Sequence, residues 1–234
     1  MPAPYLLEIA VQSLETARAA ERGGAHRIEL CALLDHGGTT PPVALQRDVR
    51  AALQIPIHVL IRPRDGNFVY AKNEMETMKR QIESAKANGM HGVVLGVLNA
   101  EHSIDIRRTR ELVRLAHPLQ VTFHRAFDET PDLLQALDDV CSTGAARILT
   151  SGGAKDAVSG AITLRSLLEA AGDRIIVMSG GGIRSENVAG VLRSTGAREF
   201  HSGLGTVMDY NSQDIAKFEN EVLKLRQACV AAAF

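Results

Sequence analysis

The sequence has no tryptophan and only three tyrosines and six phenylalanines among its 234 residues. A nucleic-acid surface needs clustered basic residues, commonly with aromatic platforms for the bases. With a formal net charge of -1 and no long run of like charges, neither component is present, so no nucleic-acid partner is expected. Cysteine is scarce as well. Cys31, Cys141 and Cys229 are odd in number and far apart, which fits free thiols in a reducing compartment better than a disulfide framework, and a cytoplasmic location is expected. No Cys-x-x-Cys or His-x-x-x-His pair marks a zinc site. No apolar stretch is long enough to span a bilayer. The start, Met1 to Pro4, runs straight into Tyr5-Leu6-Leu7-Glu8-Ile9 without the basic and apolar regions of a secretory signal. No membrane partner is expected. No Gly-x-Gly-x-x-Gly follows the first strand-like run, so there is no nucleotide cofactor motif.

What is present is a repeat. The composition is 45% hydrophobic and 23% charged, that of a chain with a sizeable core. Strand-like runs at 5–9, 26–30, 57–61, 92–97, 119–123, 146–150, 174–178 and 198–201 alternate with helical stretches. The predicted helices cover 13–22, a run ending at Leu53, 73–88, 105–115, 131–143, 156–171, 185–194 and about 212–228. Gly24-Ala25, Gly144-Ala145 and Gly196-Ala197 each mark a helix end that leads into a strand. Eight β-then-α units in a chain of this length predict an α/β fold, a single (β/α)8 TIM barrel over 1–234 with a C-terminal helix and tail from about 212.

In such a barrel, chemistry sits on the loops after the carboxyl ends of the strands. The stretch Val121-Thr122-Phe123-His124-Arg125-Ala126-Phe127-Asp128 places an imidazole, a guanidinium and a carboxylate at such a junction, just before the helix-start signal Thr130-Pro131-Asp132. Strand parity adds the rest. If Leu7, Ile9, Ile28, Leu30, Ile57, Val59 and Ile61 face the helices, then Glu8, Glu29, Cys31, His58, Arg62, Thr122, His124, Glu199 and His201 face the lumen. So many ionisable groups inside a barrel are either a paired salt-bridge plug or an active site. The enzyme reading takes Glu8 or Glu29 as base, His124 as acid and Arg62 as charge stabiliser. The glycine turns after strands six, seven and eight suggest an anion pocket near Gly152, Gly181, Gly182, His201 and Ser202. The partner expected there is a small phosphorylated or carboxylated metabolite.

Several blocks together closely resemble the CutC copper-homeostasis family. They are Leu7-Glu8-Ile9, the run from Glu21 to Cys31 ending in Arg27-Ile28-Glu29-Leu30-Cys31, Gly37-Gly38-Thr39-Thr40-Pro41, Ile61-Arg62-Pro63-Arg64, Val121 to Asp128 and Ile148 to Gly152. The resemblance runs from about Tyr5 to Ser202. It implies a cytosolic TIM barrel associated with copper handling, with a copper ion as ligand and Cu(I) bound through Cys31 helped by a histidine. Ala10 stands where many members of the family carry cysteine and Ser202 where some do, which leaves Cys31 as the thiolate ligand the resemblance implies. A homo-oligomer is compatible with either function.

Overall fold

The computed structural model describes residues 5–205 and 207–233. Eight parallel strands close into a barrel in sequence order: β1 (Leu6–Val11), β2 (Arg27–Leu30), β3 (Ile57–Leu60), β4 (Gly92–Leu95), β5 (Gln120–Phe123), β6 (Arg147–Thr150), β7 (Ile176–Ser179) and β8 (Glu199–Ser202). Around them lie α1 (Leu14–Arg22), α2 (Val43–Ala52), α3 (Lys72–Ala87), α4 (Ile106–Ala116), α5 (Leu133–Thr143), α6 (Ala161–Ala171), α7 (Val188–Thr195) and α8 (Ile215–Ala233). The expected TIM barrel is the fold.

The helix ends follow local chemistry. Ser13 caps α1 by accepting the Thr16 N–H at 3.1 Å, and Asp132 caps α5 by accepting from Leu134 and Gln135, both at 3.0 Å. Gly144, with φ +86°, closes α5 in the left-handed region that a residue with a Cβ avoids. The helices α6 and α7 start later than the pattern predicts. Residues 151–160 form turns rather than the first turn of α6, because the Asp156 carboxylate accepts the Ser159 N–H and Gly160 packs onto the Ser151 carbonyl where a Cβ would lie 1.8 Å away. In the approach to α7, Asn187 accepts the Arg184 N–H and donates to the Gly182 carbonyl, which holds 182–187 as a loop and delays the helix to Val188.

Most strand residues are buried on both faces, as a parallel sheet covered by helices requires. The apolar residues facing outward, among them Leu7, Ile28, Ile57, Val93, Phe123, Ile148 and Phe200, form one core with Ala17, Val49, Met78 and Ile82 of the helices. Cys31, Leu60 and Val94 belong to a separate small cluster. The alternation read from the sequence therefore divides the barrel as expected. Cross-barrel contacts between β2 and β8, and between β6 and β8, show that the polar set fills the lumen.

Candidate active site

The lumen has two polar levels, and the lower one is a plug. Arg27 bonds the Glu8 carboxylate through Nε and reaches Glu199 Oε2 at 3.2 Å through Nη2. Arg147 grips the same Glu199 carboxylate at 2.6 and 3.3 Å and donates to Thr122 Oγ1 at 3.4 Å. Two carboxylates thus face two guanidiniums. Charges taken this far from water are tolerable only when paired and hydrogen-bonded. Burial would raise the pKa of Glu8, but the Arg27 charge and the hydrogen bond from His201 outweigh it and hold the carboxylate well below its ordinary range. His58 lies beside this plug, its Nδ1 3.9 Å from Glu8 Oε2, and burial drives its pKa down to about 3. Its ring fits because β4 has Gly92 opposite, where a Cβ would come within 2.5 Å of the imidazole.

Above the plug is a cavity of about 250 Å³ at the carboxyl ends of the strands, lined by Glu29, Cys31, Arg62, His124, Arg125, Gly181, Gly182, His201 and Tyr210 among others. Glu8 forms no part of its wall; it connects to the cavity through His201, whose Nδ1 is 2.8 Å from Glu8 Oε1 and 3.6 Å from Glu29 Oε2. Glu29 is 6% exposed. Burial pushes its pKa up to about 7, the neighbouring Glu8 charge adds to this, and His201 opposes it. Burial works against protonation of His201, but the Glu8 hydrogen bond and the charges of Glu29 and Glu8 prevail and raise its pKa. A carboxyl group with a pKa of about 7 and an imidazole whose protonated form is favoured by its two carboxylate neighbours therefore meet at the cavity floor.

His124, expected as the acid, is a neutral imidazole in the fold. Its Nδ1 accepts the Ala126 N–H at 3.2 Å, so Nε2 carries the proton of the neutral ring. Burial and the Arg62 charge lower its pKa to about 3. Its one N–H is that of a neutral imidazole. The Nε2 atom is buried without a hydrogen-bond partner, in a ring wall made by Phe68 and Phe123 and opposite Gly96, where a Cβ would lie 2.5 Å from the ring.

The other expected residues divide. Arg62 lines the cavity, but its fork is occupied: Nη1 donates to the carbonyls of Gly37 and Gly38 at 3.1 and 2.8 Å, and Nη2 to that of Gly66 at 2.6 Å. It ties two loops together, which limits its expected part as a charge stabiliser to Nε, an atom without a partner. Of the anion residues, Gly181, Gly182 and His201 reach the cavity and Gly152 and Ser202 do not. The Gly152 N–H donates to Thr150 Oγ1 at 2.9 Å. Ser202 has the opposite parity to His201, and its hydroxyl donates to the Ile183 carbonyl at 2.6 Å. Arg27, Arg147 and Tyr210 were not singled out from the sequence. The first two share the inward parity of Glu29 and Leu149. Tyr210 comes from the loop after β8, held by Gln12, which donates to the Tyr210 carbonyl at 2.8 Å and accepts the Leu34 N–H at 3.0 Å.

For Cu(I) the donors are poor. Cu(I) favours soft sulfur ligands, and the cavity wall offers one thiol, Cys31, whose deprotonation is opposed by burial and by the Glu29 and Glu8 charges. Glu8, Glu29 and His201 each bring a ligand atom within 4.8 Å of the others, a hard carboxylate and imidazole set. Arg27 already holds one oxygen of that Glu8 carboxylate.

Comparison with known proteins adds an ancestry to this geometry. The model of the CutC family matches residues 5–206. A family protein CutC from Chromobacterium violaceum is 46% identical over 197 residues, covering 84% of this chain and 80% of that protein. A human protein named copper homeostasis protein cutC homolog is 44% identical over 205 residues, 88% of this chain and 75% of its own length. The crystal structure of CutC from Streptococcus agalactiae superimposes with a TM-score of 0.81 at 31% identity, covering 84% of this chain and 97% of that one.

Proposed function

The chain belongs to the CutC family, as a homologue of proteins named for copper homeostasis, and from that premise and the cavity we propose that it is an enzyme that moves a proton on a small anionic metabolite. One observation carries this reading: a buried carboxyl group with a pKa of about 7 shares a small cavity with a buried, unpartnered imidazole N–H. A general base works best when its pKa lies near the operating pH, and a fixed neutral donor stabilises an oxyanion without first losing a proton. Glu29 takes the proton from a carbon next to a carbonyl, and the His124 Nε2–H hydrogen-bonds the enolate oxygen that develops. His201, bonded to Glu8 at 2.8 Å, sets its imidazole 3.6 Å from the Glu29 carboxyl group. At about 250 Å³ the cavity is below the roughly 300–1,000 Å³ of sites for drug-sized ligands, which suits a compact metabolite. No helix among the described residues is long and apolar enough to cross a membrane. The free state of Cys31, Cys141 and Cys229 supports a cytoplasmic location.

The test is hydrogen exchange. Incubation in D2O with a panel of small phosphomonoesters and hydroxy or oxo acids, followed by proton NMR, is expected to reveal one compound class that gains deuterium at carbon. A panel without any enzyme-dependent exchange overturns the reading.

A second reading, Cu(I) bound at Cys31, is favoured by the copper-named relatives and by the placement of this thiol in the same cavity as His201. Competition for Cu(I) against a chelator separates the two. With a single soft donor, the reduced protein is expected to bind Cu(I) weakly, and Cys31→Ser to change the affinity little, whereas a carrier would lose orders of magnitude in affinity with that thiol.

A further inference from the structure

We infer that Arg125, with the backbone N–H groups of Gly181 and Gly182, forms the subsite that binds the phosphate of a phosphate-monoester substrate. The inference rests on the enzyme reading for its catalytic meaning but on separate observations for its geometry. Arg62, the arginine expected to hold an anion, spends its fork on loop carbonyls. Arg125 is built in the opposite way. Its Nε donates to Asp128 Oδ2 and its Nη2 to Ser151 Oγ, both at 2.8 Å. Nη1 has no hydrogen-bond partner among the described residues, and the side chain is 42% exposed at the rim of the cavity. One edge of the guanidinium is fixed and the other is free.

The fixed edge rests on a rigid base. Asp128 accepts from the Thr150 hydroxyl and from the N–H groups of Ser151 and Gly153, while the Ser151 hydroxyl donates to the Ala154 carbonyl at 2.6 Å. The Asp128 charge is spread over these donors as well as Arg125, so the arginine retains hydrogen-bonding capacity for a ligand. The free edge faces Gly181: a Cβ built there would lie 3.4 Å from Arg125 Cζ and Nη1. Gly181 and Gly182 have φ of +94° and +68°, and among the described residues neither N–H donates a hydrogen bond, although both carbonyls accept one, from Ala157 and Asn187. Consecutive amides in such a turn form a concavity for an anion. Two backbone donors and a guanidinium edge, coming from two different loops, suit the three oxygens and double charge of a phosphate monoester better than the two coplanar oxygens of a carboxylate. A phosphate bound there leaves the remainder of the substrate to extend across the cavity toward Glu29 and His124.

Binding of inorganic phosphate, methyl phosphate and acetate, measured by calorimetry on the whole chain at low ionic strength, tests this directly. Wild type is expected to bind both phosphates saturably and acetate more weakly. Arg125→Gln should weaken phosphate binding by about tenfold or more, the loss of one charge-assisted pair, while Arg174→Gln, which removes an exposed arginine paired with Asp138 outside the cavity, keeps it within about twofold. Should Arg125→Gln fold poorly, the amide spectrum of the wild type decides: phosphate must shift the Gly181 and Gly182 resonances most. Undiminished phosphate binding by folded Arg125→Gln, preference for acetate, or shifts centred elsewhere overturn the inference. Phosphate binding at this rim without any carbon exchange leaves the subsite standing and removes the proposed chemistry; exchange without phosphate binding does the reverse.

Discussion

Glu29→Gln is expected to reduce deuterium exchange at least about 10²-fold, the lower end of what a positioned base contributes, and also to make the protein more stable at pH 8. The two effects share a cause. The Glu29 carboxyl has an ordinary pKa of 4.5 that burial raises to about 7 in the folded chain. Below pH 4.5 it is protonated in both the folded and unfolded states and contributes no pH dependence. Between pH 4.5 and 7 the unfolded chain loses this proton more readily, so the stability it contributes falls as pH rises, and above 7 the loss is complete. Glutamine keeps the shape of the protonated acid and avoids that loss. Melting temperatures of wild type and Glu29→Gln should therefore converge near pH 4.5 and separate, with the variant higher, at pH 8. A variant less stable than wild type at pH 8, or one that retains exchange, rules out Glu29 as a buried base poised near neutrality.

Much of this site could be read from the sequence because strand parity is a strong constraint. Once Ile28 and Leu30 face the helices, Glu29 and Cys31 must face the lumen, and the same alternation places Glu8, His58 and His124. It also argues against Ser202, which stands next to an inward histidine. What parity could not show was how each group is satisfied. The fork of Arg62 is occupied because two loops far apart in sequence close over it, residues 37–38 and residue 66. Arg125 follows the strand, within a short 3₁₀ turn over Arg125–Glu129, where the alternation ends and the direction of a side chain depends on the turn. Nor could composition choose between plug and active site, since both need buried charge. The barrel has both. Level in the lumen decides, with the two-arginine, two-glutamate balance below and an unbalanced carboxyl and imidazole above.

That division predicts where the chain is most sensitive. Arg27→Met should destabilise the fold by roughly 3–5 kcal/mol, the usual cost of leaving one partner of a buried ion pair uncompensated, or on the order of 6–20 °C in melting temperature at about 2–4 °C per kcal/mol for a chain of this size. Both Arg27 and Glu8 are almost wholly buried, so solvent cannot take over from the missing guanidinium. Glu199 is less affected, because Arg147 still grips both of its oxygens. Glu8 retains only the hydrogen bond from His201. A second change, Glu8→Gln, removes the orphaned charge, so Arg27→Met/Glu8→Gln should be more stable than Arg27→Met alone, and a double-mutant cycle in urea should give a coupling of opposite sign to the single losses. The order matters more than the sizes. If Arg27→Met costs less than about 1 kcal/mol, or if the second change makes matters worse, then Glu8 does not depend on Arg27 for its charge, and His201 has no fixed anion beneath it.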